Sequence, residues 1–355
     1  MSDLARSEPS TTWRVKVENR SILCLLGLVG VLALVPFYAD EGLMRLGVEV
    51  FTLLTMAQMW NLLAGYTGFV SVGQQVFVGI GAYGMALVAL KAGINPFVAV
   101  AFGGLIAGLV GTLAAPILFH LRGPYFAIGT WVLAELFRIF ISNNEWFGGG
   151  SGLTLARAVQ GVPREWRTKI MFWLALALVA GAILLVLCLL RSRFGLAIRT
   201  VRDNEASAES VGVNVLRVKL TVFIVAAFVT GYAGAINYLN SMFINVNAAF
   251  SVDWSALMIF VVVIGGIGTI EGPIIGIIIY FILREYLSDY GTWYMITLGT
   301  VAIGVMLLVP DGIWGLIAKK FNIRLFNTRS RLDVFSSEDH IISANAKGGN
   351  NDQPS

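Results

Sequence analysis

Charge is what this sequence has least of. Asp, Glu, Lys and Arg make up 13% of its 355 residues, about half the share of a soluble globular chain. Apolar residues reach 57%, so the solvent for most of the chain is lipid. Cysteine is nearly absent too. Cys24 and Cys188 each sit inside an apolar run, which excludes a disulfide framework and a thiolate metal site. The two histidines, His120 and His340, are far apart, and no His, Cys and acid cluster has metal spacing. There is no Gly-x-x-x-x-Gly-Lys-Ser/Thr to cradle phosphates and no Gly-x-Ser-x-Gly nucleophile elbow. The basic residues lie between apolar segments and in the tails rather than on an aromatic-studded face, which excludes a nucleic-acid binder. A chain without these groups is not an enzyme and holds no cofactor or metal of its own. Any work it does draws on a partner or an ion gradient.

What is present is hydrophobic length. A helix crosses the hydrocarbon with roughly 20 mainly apolar residues. Ten segments come close: 21–38, 46–65, 69–90, 96–119, 124–141, 169–190, 219–241, 253–270, 273–288 and 292–309. Some are short or broken by glycine, so the range is eight to ten. The expected fold class is all-α, a polytopic transmembrane bundle with both termini cytoplasmic. Residues 1–20 form a cytoplasmic lead and 21–318 the membrane domain. Residues 319–355 form a polar tail with too little apolar surface to offset its ordering entropy. The positive-inside rule supports this orientation. It puts Arg193, Arg199, Arg202 and Arg217 of the loop 191–219 inside, with Lys319, Lys320 and Arg324 of the tail. One loop disagrees: 142–168 falls outside yet carries Arg157, Arg164 and Arg167.

The loop 191–214, RSRFGLAIRTVRDNEASAESVGVN, is the most specific feature. Its centre, 203–212, reads as one short helix. Asp203 or Asn204 caps the start, Glu205 suits the dipole, and Gly212 supplies a left-handed stop. A helix this short is not stable alone in water and makes sense docked into a groove on another protein.

At these residues the chain resembles the permeases of ATP-binding-cassette importers, in which a cytoplasmic coupling helix with a Glu-Ala-Ala then Gly pattern sits on the ATPase. Here the match is Glu205, Ala206 and Ser207, with Gly212 closer than in the commonest form. The nearer resemblance is to branched-chain amino-acid importer permeases. Arg202, Asn204, Glu205, Ala208, Glu209, Gly212, Val213 and Asn214 fit that family's loop. Further stretches resemble it as well: NLLAGYTGFVSVGQQVFVGIGAY (61–83), LRGPYFAIGT (121–130), GGGSGLT (148–154), VIGGIGTIEGPIIG (263–276) and PDGIWG (310–315). Many members carry His where Gln74 stands, so a titrating role there does not carry over. The resemblance implies a homologous permease subunit, two ATP-binding-cassette ATPases that bind the ATP, a periplasmic substrate-binding protein and an inner-membrane location. It also implies ATPase-coupling roles for Arg202, Asn204, Glu205, Ala206, Ala208, Glu209, Gly212 and Asn214. Branched-chain or related hydrophobic amino acids are the expected cargo, with urea or short amides as the alternative. A different class, an ion-coupled secondary transporter, would need carboxylates in mid-membrane, whereas the acids here cluster at span ends.

Broken apolar segments point to the pathway, because backbone in lipid stays unpaired only where it lines a protected cavity. Two stretches qualify, giving the pathway candidates Asn61, Gly65, Gly68, Gly73, Gln74 and Gln75, and then Gly265, Gly266, Gly268 and Glu271. Close packing of helices through small residues is the competing explanation for their glycines. Glu135 and Arg138, at i, i+3, are expected to neutralise each other within a span.

Overall fold

The structure is a computed structural model and describes residues 20–287, 290, 292–309 and 311–321. The lead 1–20 and the tail 319–355 therefore fall almost wholly outside the described residues. Helices account for nearly all of the fold. In chain order they are α1 (Arg20–Ala33), α2 (Glu41–Asn61), α3 (Gln75–Lys91), α4 (Pro96–Leu118), α5 (Pro124–Ser142), α6 (Arg164–Arg191) and α7 (Arg193–Asp203). Then follow α8 (Glu205–Ser210), α9 (Val215–Ser241), α10 (Val246–Ala249), α11 (Asp253–Gly265), α12 (Gly272–Leu287), α13 (Thr292–Leu308) and α14 (Gly312–Phe321). Two short strands, β1 (Leu153–Thr154) and β2 (Phe243–Ile244), pair antiparallel.

Local chemistry sets the helix limits. Asn95 accepts from Phe97 N (3.0 Å) and Pro96 occupies the first turn of α4, where its missing N–H costs nothing. Pro124 opens α5 in the same way. Helix α4 shows how the bundle is sorted. Gly103, Ala107, Gly111 and Ala115 form one buried stripe, while Leu105, Leu109, Leu113 and Ile117 form a stripe more than half exposed. In lipid this is the expected arrangement, since close approach through small residues drives helix association while large apolar side chains face the tails. The buried stripe meets α3 and α9. A Cβ at Gly111 would stand 2.7 Å from Ala227 Cβ, and one at Gly103 would strike the Gly81 carbonyl.

Among the described residues, six stretches are long and apolar enough to cross a membrane: Glu41–Tyr66, Pro96–Leu118, Pro124–Ser142, Arg164–Arg191, Val215–Ser241 and Val246–Gly265. A bent pair, Ile296–Leu308 with Gly312–Phe321, makes up to seven. Among the described residues, Leu25–Phe37 and Gln75–Lys91 are apolar but shorter. The expected ten full-length spans are thus not all met by length. The segment expected at 69–90 is helical only from Gln75, because 68–74 is irregular chain. The segment 253–270 stops at Gly265, where Gly266 takes φ +133°.

Contacts order the ends of the bundle. Arg164 Nε meets Glu41 Oε2 at 2.7 Å, so α2 and α6 start together. Arg164 is therefore partly neutralised in the loop that broke the charge pattern. Strand β1 pairs with β2, which follows α9, and so the 142–168 loop and the end of α9 share one end. The loop bearing α7 and α8 lies at the other.

Candidate functional site

Helix α2 does not end cleanly. After Asn61 it widens into a π-turn over Leu62–Tyr66, a local geometry frequent at functional positions. Phe69 N then bonds back to Leu63 O (3.0 Å) and Trp60 Nε1 holds Ser71 O (2.8 Å). The second break, 266–271, folds directly against this one. Asn61 Nδ2 donates to Thr269 O (2.7 Å), and Asn61 Oδ1 accepts from Gly268 N (2.8 Å). Gln58 Nε2 donates to Ile270 O (2.7 Å). Two side chains of α2 thus satisfy the backbone groups freed by the break after α11. The approach leaves no room for side chains, since a Cβ on Gly65 would stand 2.6 Å from Gly268 N. Residues 311–314 close the same knot: a Cβ on Gly266 would lie 3.0 Å from Asp311 O and 3.6 Å from Trp314 Cβ.

The loop helices sit on this knot. Within 203–212 the chain forms one helix, α8, and Asp203 closes the helix before it, α7. The cap of α8 is Asn204, whose side chain accepts from Ser207 N (3.0 Å). Gly212 takes φ +84°. The bonds Gly212 N to Glu209 O and Val213 N to Ala208 O, both 3.0 Å, complete a Schellman stop. Glu205 is ion-paired to Lys219 of α9 (2.7 Å). Lys219 also stands 4.7 Å from the Phe69 ring centroid, which places it against the first break. A Cβ on Gly68 would be 3.7 Å from Arg202 Cγ, and one on Gly268 would be 3.3 Å from Arg202 Nη1. One side chain of the loop therefore touches both breaks.

The loop candidates divide by role. Ala208 is fully buried, and Asn214 caps α9 by accepting from Arg217 N (2.9 Å), so both shape the loop. Ala206 and Glu209 face outward, with Val211 72% exposed beside them. The pathway candidates fall in two places. Asn61, Gly65, Gly68, Gly265, Gly266 and Gly268 belong to the knot, and Glu271 is buried at the start of α12. Gly73, Gln74 and Gln75 lie elsewhere. Gly73 packs against the Thr130 carbonyl of α5, and Gln75 Oε1 accepts from Ser255 Oγ of α11. Gln74 is fully buried with no protein partner for either amide atom.

The paired breaks and the capped loop above them lie within the extent of a known family. Residues 42–310 match the family model described as the branched-chain amino acid transport system permease component. The chain belongs to that family. The permease is 26% identical to the high-affinity branched-chain amino acid transport system permease protein LivM of Salmonella typhimurium, over 82% of this chain and 74% of the relative. It is also 26% identical to LivM of Escherichia coli, over 84% and 76%. A nucleoside ABC transporter permease protein, NupC of Lactococcus lactis, is 27% identical over 48% of this chain and 58% of its own length. No solved structure matches significantly.

Several residues of the permease's knot were not legible as site residues. Gln58 reads only as one polar residue in an apolar run, and Lys219 as the edge of a basic loop. Their partners lie far away in sequence, so no local spacing announces them. The Pro310 to Gly315 motif was visible, but not that its Asp311 and Trp314 pack on Gly266.

Proposed function

We propose that this chain is the permease subunit of an ATP-driven importer, passing branched-chain or related hydrophobic amino acids across the inner membrane. One of two ATP-binding-cassette subunits docks on α7 and α8, a second permease completes the pathway, and a periplasmic binding protein delivers the cargo. Both termini and the loop 191–219 are cytoplasmic. The shorter apolar helices α1 and α3, together with α12 and the bent pair α13–α14, fill out a ten-span arrangement. Helix α3 enters as a half-span behind the irregular stretch 68–74.

The observation that carries this reading is Arg202 lying against both breaks while Glu205 is tied through Lys219 to Phe69. A push on α8 reaches the interrupted helices through these side-chain contacts. Nucleotide-driven motion of the ATPases then shifts two segments whose backbone is already unwound, and access to the pathway alternates. A related permease named for nucleosides is consistent with cargo choice resting largely on the binding protein.

Exchange of Glu205 for Lys tests the coupling. It reverses one charge of a pair and sets it against Lys219. The expected result is loss of ATPase co-purification and at least a tenfold fall in ATP-dependent uptake, equivalent to about 1.4 kcal/mol. Intact co-purification and uptake in this variant, and in one lacking 203–212, would sink the reading.

A further inference from the structure

We propose that a cleft between α5, α10 and the start of α3 reads the zwitterionic head group of an α-amino acid. Arg138 takes the carboxylate and Glu135 the ammonium. This inference rests on the permease reading and names a site on the permease itself, apart from the binding protein.

Of the six long apolar stretches, α5 is the least covered by the rest of the chain, at 22% of its span window. It nonetheless carries an ion pair whose side chains are 32% and 42% exposed. A charge facing hydrocarbon costs about 2.5–3.5 kcal/mol even on the mildest scale. This face of α5 therefore borders water or protein. Beside the pair lies a cleft of about 310 Å³, at the small end of the range for ligand sites.

The pair keeps binding capacity. Arg138 donates from Nε to Glu135 Oε2 (2.9 Å), from Nη2 to Glu135 Oε1 (2.5 Å) and from Nη1 to Asn247 Oδ1 (2.8 Å). A guanidinium has five N–H donors and a carboxylate about four acceptor positions, so each ion retains about two. A zwitterion laid antiparallel on the pair closes a ring of four charges with no net charge. A free amine or a free acid would engage only one ion of the pair and leave one charge uncompensated. The neutral pair thus selects a neutral dipolar ligand over either half of it.

The rest of the cleft suits an aliphatic amino acid. Trp131 and Phe250 offer apolar surface, and Gln75 lines the wall as the first residue of α3. The positive end of that helix dipole favours the carboxylate, as broken helices do in other transporters. The competing explanation is a pair that only neutralises itself, and the two differ in what they tolerate.

The test is photo-crosslinking of a diazirine analogue of leucine to the purified full-length permease in lipid nanodiscs. Labelling is expected on peptides containing Trp131 or Phe250. Excess L-leucine should compete, whereas isopentylamine and 4-methylpentanoate at equal concentration should not. Glu135→Gln and Arg138→Gln should each lower labelling about 10- to 100-fold, the value of one charge-assisted hydrogen bond. The exchange Glu135→Arg with Arg138→Glu preserves self-neutralisation and guards against misfolding. A structural pair keeps its thermal stability and its labelling after that swap, while the proposed site keeps stability and loses the label. Label elsewhere, competition by the amine alone, or undiminished label in the swap overturns the site. Co-purification of the partner ATPase from the same preparations reports the permease reading separately. No label on the unmodified permease with intact co-purification defeats only the site, and label on it without any ATPase partner defeats only the permease reading.

Discussion

Asn61 and Gln74 are both buried amides within the membrane region, and the structure treats them oppositely. Asn61 satisfies the Gly268 N–H and the Thr269 carbonyl at once. Replacing it with Leu strands two backbone groups, at about 1–3 kcal/mol each. Asn61→Leu should lower the melting temperature in detergent by several degrees and abolish uptake; an unchanged melt would show that the two breaks are not held through this side chain. Gln74 has no protein partner for either amide atom. Gln74→Met conserves volume and removes an unpaired amide, which is neutral or stabilising for the fold. Melting should hold or rise while uptake falls, a split that marks an amide serving the pathway. A drop in melting temperature would instead assign Gln74 a structural partner.

At the scale of elements, glycine positions separate close contacts from lipid-facing ones. Helices α3, α4 and α9 approach backbone to backbone: a Cβ on Gly234 of α9 would stand 2.7 Å from Val78 Cα of α3. Gly181 on α6 has nothing within 4 Å. Gly234→Val should therefore force α3 and α9 apart, at about 1–3 kcal/mol or more, and reduce the amount of folded permease in the membrane. Gly181→Val should leave that amount unchanged. Equal effects, read by size-exclusion of the solubilised protein, would contradict the packing. Helices α7 and α8 have a different origin. Six residues of α8 would not hold a helix in isolation, and its order comes from the Asn204 cap, the Gly212 stop and the Glu205–Lys219 pair. The last is partly exposed, and an exposed pair contributes only about 0–1 kcal/mol. The loop is therefore held well enough to present a surface and loosely enough to move with a partner.

For the whole molecule, the orientation is open to direct measurement. With Cys24 and Cys188 replaced, a single cysteine at Ser210 should resist an impermeant thiol reagent on intact cells and react after permeabilisation. A cysteine at Gly150, at the opposite end beside β1, should react at once. The reverse pattern would invert the bundle and remove the loop from reach of a cytoplasmic ATPase.

Apolar length, the scarcity of charge and the loop motif made the class of this protein readable from residues alone. Each is a local property: lipid solvation acts on every span separately, and caps, stops and coupling motifs are written within a few consecutive positions. The helix starts at Pro96 and Pro124, a cap at Asp203 or Asn204 and the Gly212 stop could be read for the same reason. The Glu135–Arg138 pair was legible too, being one helical turn apart. The span expected at 69–90 starts late, because Phe69 to Gln74 is apolar enough to read as helix while its backbone leaves the helical ladder, with Phe69 N on Leu63 O and Ser71 O held by Trp60 Nε1. Only the tertiary structure could decide that Asn61 and Gly268 are partners, that Arg202 touches both breaks, and that Gln75 leaves that knot to stand beside Arg138. Such contacts join positions far apart in the chain. They exist only once packing has paid the entropy of closing the intervening loops, so no spacing in the sequence carries them.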